Sequence, residues 1–213
     1  MRSADLLTIA RVLLAILVAY LVIIKFDPIV SILLFAIALA MDGLDGFAAL
    51  HQISNGRIGF LEYMRYVRGR MNKKESEILK EYKLKVGSAY PYGPRMDVAG
   101  DRIIEYTLWA LFTFLHVLPL FVIILIIARH SFADAFMAAK GTSSRLKTRF
   151  ARIVYGSNAS RAGINIMKFV TFSYLILVYV LGYPILIGYV LAAMLVAYIL
   201  ARGAAEINEA LHG

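Results

Sequence analysis

The chain has 213 residues, 61% of them hydrophobic, with a mean hydropathy of +0.72 and a formal net charge of +9. Its apolar residues come in blocks near or beyond the roughly 20 needed to cross a bilayer, which makes it an integral membrane protein of the all-α class. Cysteine is absent, which excludes disulfides, thiolate catalysis and sulfur-ligated zinc, so any metal must be held by oxygen or nitrogen.

The opening MRSADLLTIARVLLAILVAY is polar and then apolar for longer than a secretory signal, with no small-residue cleavage site, and predicts a retained first span over 6–24. Further spans are expected over 29–49, 97–116, 118–139, 163–182 and 184–204, six in all. Pro28, Pro119 and Gly182-Tyr183-Pro184 punctuate them. The whole of 1–213 reads as one membrane domain, interrupted at about 51–92 by a charged insertion with helical patterning and by no repeat or low-complexity tract. Of the 23 Lys and Arg, ten lie in 51–96 and six in 140–161, whereas the loops after the third and fifth spans have none. That bias predicts both basic loops and both termini on the cytoplasmic side of the cell membrane. The positive charge is thereby a topology signal, and nucleic acid is not an expected partner because no basic stretch is interleaved with aromatics on a soluble module.

Two pairs of aspartates stand at the edges of these spans, Asp42 and Asp45 in MDGLDGFAA and Asp97 and Asp101 in GPRMDVAGD. Carboxylates at membrane depth are costly unless they pair, bind a cation or line a wet cavity, so they mark a functional site. The expected topology brings the end of the second span and the start of the third to one depth. Steps of three and four residues keep each pair on one helix face. Four such acids make an oxygen-rich cage suited to Mg²⁺ or Mn²⁺, and a pair of such ions can clamp the attacking and leaving oxygens of a phosphoryl transfer. Gly43, Gly46 and Gly100 beside them would allow close approach of a helix or a nucleotide.

These residues resemble the signature of the CDP-alcohol phosphotransferase family, D-x-x-D-G-x-x-A-R, a spacer, and G-x-x-x-D-x-x-x-D. The chain has Asp42, Asp45, Gly46 and Ala49, then Leu50 in place of the arginine, then Gly93, Asp97 and Asp101, so seven of the eight fixed positions agree. Leu6-Leu7-Thr8-Ile9-Ala10-Arg11 is similar to the family's N-terminal L-L-T-x-x-R element. A second departure is the 42-residue spacer between Leu50 and Gly93, far longer than usual. Arg57 or Arg95 is a candidate to supply the missing guanidinium, and the insertion reads either as a solvated basic face or as a lid or lipid-surface anchor.

The resemblance implies transfer of a phosphatidyl-type group, diacyl or archaeol, from a CDP-lipid to an acceptor alcohol, releasing CMP, by a six-span homodimeric enzyme with two Mg²⁺ or Mn²⁺ ions. It implies that Asp42, Asp45, Asp97 and Asp101 hold the metals and that Asp101 is the general base. It also implies that Thr8, Asp45, Gly46, Ala49 and Gly93 contact the CDP moiety. Arg102, together with Arg145, Arg149 and Arg161 of the second basic loop, would grip a polyol phosphate such as inositol phosphate or glycerol phosphate. Serine or another amino alcohol is the alternative acceptor. Glu105, Arg129, His130 and Asp134 either line the same cavity or form interhelical pairs. A cation transporter or a UbiA-like prenyltransferase are the competing classes. The first predicts acids spread through the bilayer, and the second predicts denser acidic motifs and more spans.

Overall fold

The computed structural model describes residues 3–67, 70–72, 75, 77–79, 81–82, 85–86, 92–140, 148–154 and 158–212. Among them every regular element is an α-helix: α1 Ser3–Ile23, α2 Pro28–Ile53, α3 Phe60–Val67, α4 Gly93–Phe114, α5 Leu120–Lys140, α6 Arg149–Val154, α7 Asn158–Leu181 and α8 Ile185–His212. Their ends follow local chemistry. Asp27 caps α2 by accepting from the amides of Ile29 at 2.7 Å and Val30 at 3.3 Å, with Pro28 at the first helical position. Gly182, at φ 73°, ends α7 in the left-handed region just before Pro184.

Among the described residues, five helices are long and apolar enough to cross a membrane, within α1, α2, α5, α7 and α8. Their surfaces agree with that reading, since Leu13, Ile29, Leu33, Leu120, Phe121 and Leu186 are all exposed although large and apolar, as lipid-facing residues are. The expected third span, 97–116, does form a helix, α4, but this helix carries Arg95, Asp97, Asp101, Arg102 and Glu105 and falls short of the same apolar standard.

The chain divides into two compact units, one of residues 1–17 and 34–104, the other of 18–33 and 105–213. In the first, the start of α1, most of α2, α3 and the start of α4 come together. Part of the insertion has its own apolar centre there: Leu50, Ile58 and Leu79 are buried, with Tyr63, Tyr66 and Tyr82 packed against them. In the second unit, α8 packs against α5, α6 and α7. The core of this unit holds Trp109, Phe112 and Phe172. Trp109 meets Phe172 edge-on at 5.0 Å and Phe112 stacks on it at 6.1 Å, geometries that aromatic quadrupoles favour.

Candidate active site

Three of the four signature acids converge in the first unit. One carboxylate oxygen from each of Asp42, Asp97 and Asp101 lies within 4.8 Å of the others. Asp42 comes from α2, and Asp97 and Asp101 lie one turn apart on α4, so the helical spacing that pairs them in sequence also aims them together. Asp45 lies on α2 as expected, and its side chain is outside the described residues.

The acids surround a guanidinium. Arg11 of α1, only 1% exposed, donates through Nη1 to Asp42 and, at 2.8 Å, to Asp101. Through Nη2 it donates to the Asp97 carboxylate at 2.5 Å and to the Asp97 carbonyl at 3.3 Å. The three carboxylates are 27%, 44% and 42% exposed, so the site is sealed on the side of Arg11 and wet on the other. The donor set, carboxylate oxygens converging on a cation that Arg11 already supplies, fits a hard divalent ion such as Mg²⁺ or Mn²⁺.

Gly100 makes this arrangement possible. A Cβ there would lie 2.5 Å from Thr8 Cγ2 and 3.5 Å from Arg11 Nη2, so only glycine lets α1 approach α4 closely enough to deliver the guanidinium. Thr8 is buried with its methyl toward Gly100, and its hydroxyl donates to the Ala4 carbonyl at 3.2 Å within its own helix. The phosphate-donor role expected of Thr8 would require that bond to open. Gly93 begins α4 and is half-buried.

Gly46 and Ala49 continue the face of α2 beyond the acids. A Cβ on Gly46 would stand 2.7 Å from the Tyr63 hydroxyl, so the space that a side chain would take at this glycine is filled by a side chain of α3. Phe47 beside it meets Phe60 at 5.4 Å and Tyr63 at 5.8 Å. The departure at Leu50 has a local cause. That residue is 1% exposed in the small core built by the insertion, where an arginine would be buried among apolar groups. Arg57 and Arg95, the candidate replacements, are both exposed, whereas the guanidinium among the acids belongs to Arg11.

The other polar residues divide differently. Arg102 is half-buried on α4. Arg145 lies outside the described residues, as do the side chains of Arg149 and Arg161, so the expected acceptor cluster has no structural description. In the second unit Glu105 accepts from Lys168 at 2.8 Å and has His130 Nε2 3.8 Å away. Arg129 donates to Glu206 at 2.9 Å and to the Ile199 carbonyl at 3.0 Å. A Cβ on Gly203 would lie 2.5 Å from Arg129 Nε, so α8 leaves a notch for that side chain. Glu105, Arg129 and His130 therefore form interhelical pairs. An apolar cavity of about 960 Å³ in the same unit, lined by Thr113, His116, Tyr189, Ala193 and Val196 among others, presents no carboxylate.

Sequence reasoning concentrated on aspartates, left Arg11 open between cavity lining and an interhelical pair, and gave Lys168 and Glu206 no role. For Arg11 the signal was available in an arginine placed one turn after Thr8 near the start of an apolar span, where a buried charge needs a partner. A scan of protein-family models, a search of curated proteins and a search of solved structures each give no match to this chain.

Proposed function

We propose that the chain is a CDP-alcohol phosphatidyltransferase of phospholipid biosynthesis, moving a phosphatidyl-type group, diacyl or ether-isoprenoid, from a CDP-lipid to an acceptor alcohol with release of CMP. The observation that carries the reading is the convergence of Asp42, Asp97 and Asp101 around one cationic position. Asp42, Asp97 and Asp101, with Asp45, would hold Mg²⁺ or Mn²⁺, two ions by the family resemblance. When bound, the metal would neutralise the diphosphate and stabilise the departing CMP.

The side chains do the rest. Asp101 takes the proton of the acceptor hydroxyl as its oxygen attacks the lipid-side phosphorus. A new P–O bond forms, the bond to the bridging oxygen breaks, and CMP leaves with that electron pair. By the resemblance, Gly46 and Ala49 would contact the CDP moiety along α2. Arg102, with Arg145, Arg149 and Arg161, binds a polyol phosphate, inositol phosphate or glycerol phosphate, by charge-assisted hydrogen bonds. In this reading α4 is the third of six spans, both basic loops and both termini are cytoplasmic, and the enzyme works as a homodimer in the cell membrane with its site open to the cytoplasm.

The test is CMP release by purified protein in detergent with a CDP-lipid, Mn²⁺ or Mg²⁺, and a panel of inositol phosphate, glycerol phosphate, serine and inositol. Release that needs both a metal and one acceptor supports the assignment and names the product. Absence of both CMP release and metal-dependent binding of cytidine nucleotides refutes it in favour of an ion-transport role.

A further inference from the structure

The two departures from the family signature, leucine at 50 and the long insertion, are one structural event. The insertion folds back on the last turn of α2. Ile58 and Leu79 bury Leu50, and the aromatic rings of Tyr63, Tyr66 and Tyr82 pack around them. Local bonds hold this fold: the His51 ring donates from Nδ1 to the Ile58 carbonyl at 2.8 Å, the Ile58 amide donates to Ser54 Oγ at 3.2 Å, and Glu62 at the third position of α3 accepts from the Gly59 amide at 2.9 Å. The consequence is that α3 presents Tyr63 to the signature face of α2, its hydroxyl oxygen 2.7 Å from where a side chain on Gly46 would begin.

Gly46 follows Asp42 by four residues, so the two share a helix face about 6 Å apart along the axis. A diphosphate held beside Asp42 by a divalent cation and extending along that face toward Gly46 would come to the Tyr63 hydroxyl. We infer that Tyr63 is a substrate-binding residue of this chain, donating a hydrogen bond to a phosphate oxygen of the nucleoside diphosphate in place of the guanidinium that position 50 no longer carries. This inference rests on the transferase reading above. The chemistry suits it, because a phenolic O–H to an anionic phosphate oxygen is a charge-assisted bond. The insertion is then a wall of the nucleotide site, fixed by the Leu50 core, and the loss of the arginine and the gain of the wall depend on each other.

The test is isothermal titration of the full chain in detergent with CDP and, separately, with cytidine, each in the presence of Mn²⁺. Tyr63→Phe keeps the ring that packs on Leu50 and removes only the hydroxyl. It should weaken CDP binding about tenfold, the range of a hydrogen bond to a charged group, while leaving cytidine and Mn²⁺ binding at wild-type values. Gly46→Ala, whose new methyl displaces the hydroxyl, should weaken CDP binding at least as much. Wild-type CDP affinity in Tyr63→Phe overturns the Tyr63 assignment and leaves the transferase reading standing. So does equal weakening of CDP and cytidine, which would mean that the wall acts on the base or on the fold. Failure of the wild-type protein to bind CDP at all, with Mn²⁺ bound or not, overturns both.

Discussion

Replacing Arg11 with glutamine tests whether the buried guanidinium is the counter-cation of the acid cluster. In the wild type its two terminal nitrogens join Asp42, Asp97 and Asp101 across α1, α2 and α4. Without it, three carboxylates within 4.8 Å of one another lose the cation they share, and their mutual repulsion costs about 3 kcal/mol per pair for an effective dielectric near 20. Solvent lowers that cost, because the acids are between a quarter and a half exposed. Breaking a fully buried pair costs about 3–5 kcal/mol and an exposed one less than about 1, so a net loss of about 2–3 kcal/mol is expected. For a chain of this size that lowers the melting temperature by about 5–10 °C. Divalent cation should reverse it: Mn²⁺ at a hundred times its dissociation constant returns about 2.7 kcal/mol. In the wild type the same Mn²⁺ must displace the Arg11 nitrogen from Asp42 and Asp101, so its apparent affinity is lower and its stabilisation smaller. The assay is thermal unfolding in detergent, by intrinsic fluorescence of Trp109, across a Mn²⁺ titration of both proteins. An unchanged melting temperature in Arg11→Gln, or equal gains from Mn²⁺ in the two proteins, would refute the counter-cation reasoning.

Three further outcomes follow from the same geometry. Asp101→Asn keeps the shape and a hydrogen-bond acceptor for Arg11 but cannot take a proton. CMP release should fall at least a hundredfold with little change in melting temperature, and normal turnover would end the general-base assignment. Leu50→Arg puts a charge into apolar surroundings: with Leu50 1% exposed against Ile58 and Leu79, stability should drop by about 2–4 kcal/mol. Limited proteolysis within 51–92 reads this out, and a cleavage rate like that of the wild type would mean that the apolar core around position 50 does not form. Glu206→Gln in the second unit leaves the buried Arg129 charge without its carboxylate and should cost about 3–5 kcal/mol. A melting temperature within 2 °C of the wild type, by the scale of about 2–4 °C per kcal/mol, contradicts that burial.

The sequence by itself determined that the protein is helical with several membrane-length apolar runs, and it singled out Asp42, Asp97 and Asp101, which the structure brings together. Apolar runs of bilayer length can be satisfied only by helices that close their own backbone hydrogen bonds, and α1, α2, α5, α7 and α8 fall where those runs are. The spacing of Asp97 and Asp101 placed both on one face of α4, because helical periodicity is a local property. Which charge meets which is not local. That Arg11 is drawn among Asp42, Asp97 and Asp101 depends on the approach of α1 to α4 at Gly100. That Glu105 meets Lys168 and His130, and Arg129 meets Glu206, depends on how α4, α5, α7 and α8 pack. The leucine at 50 and the long insertion looked like two separate losses in the linear chain. Only packing made them one, because burying an apolar side chain requires neighbours that the sequence places up to 29 residues away, at Leu79.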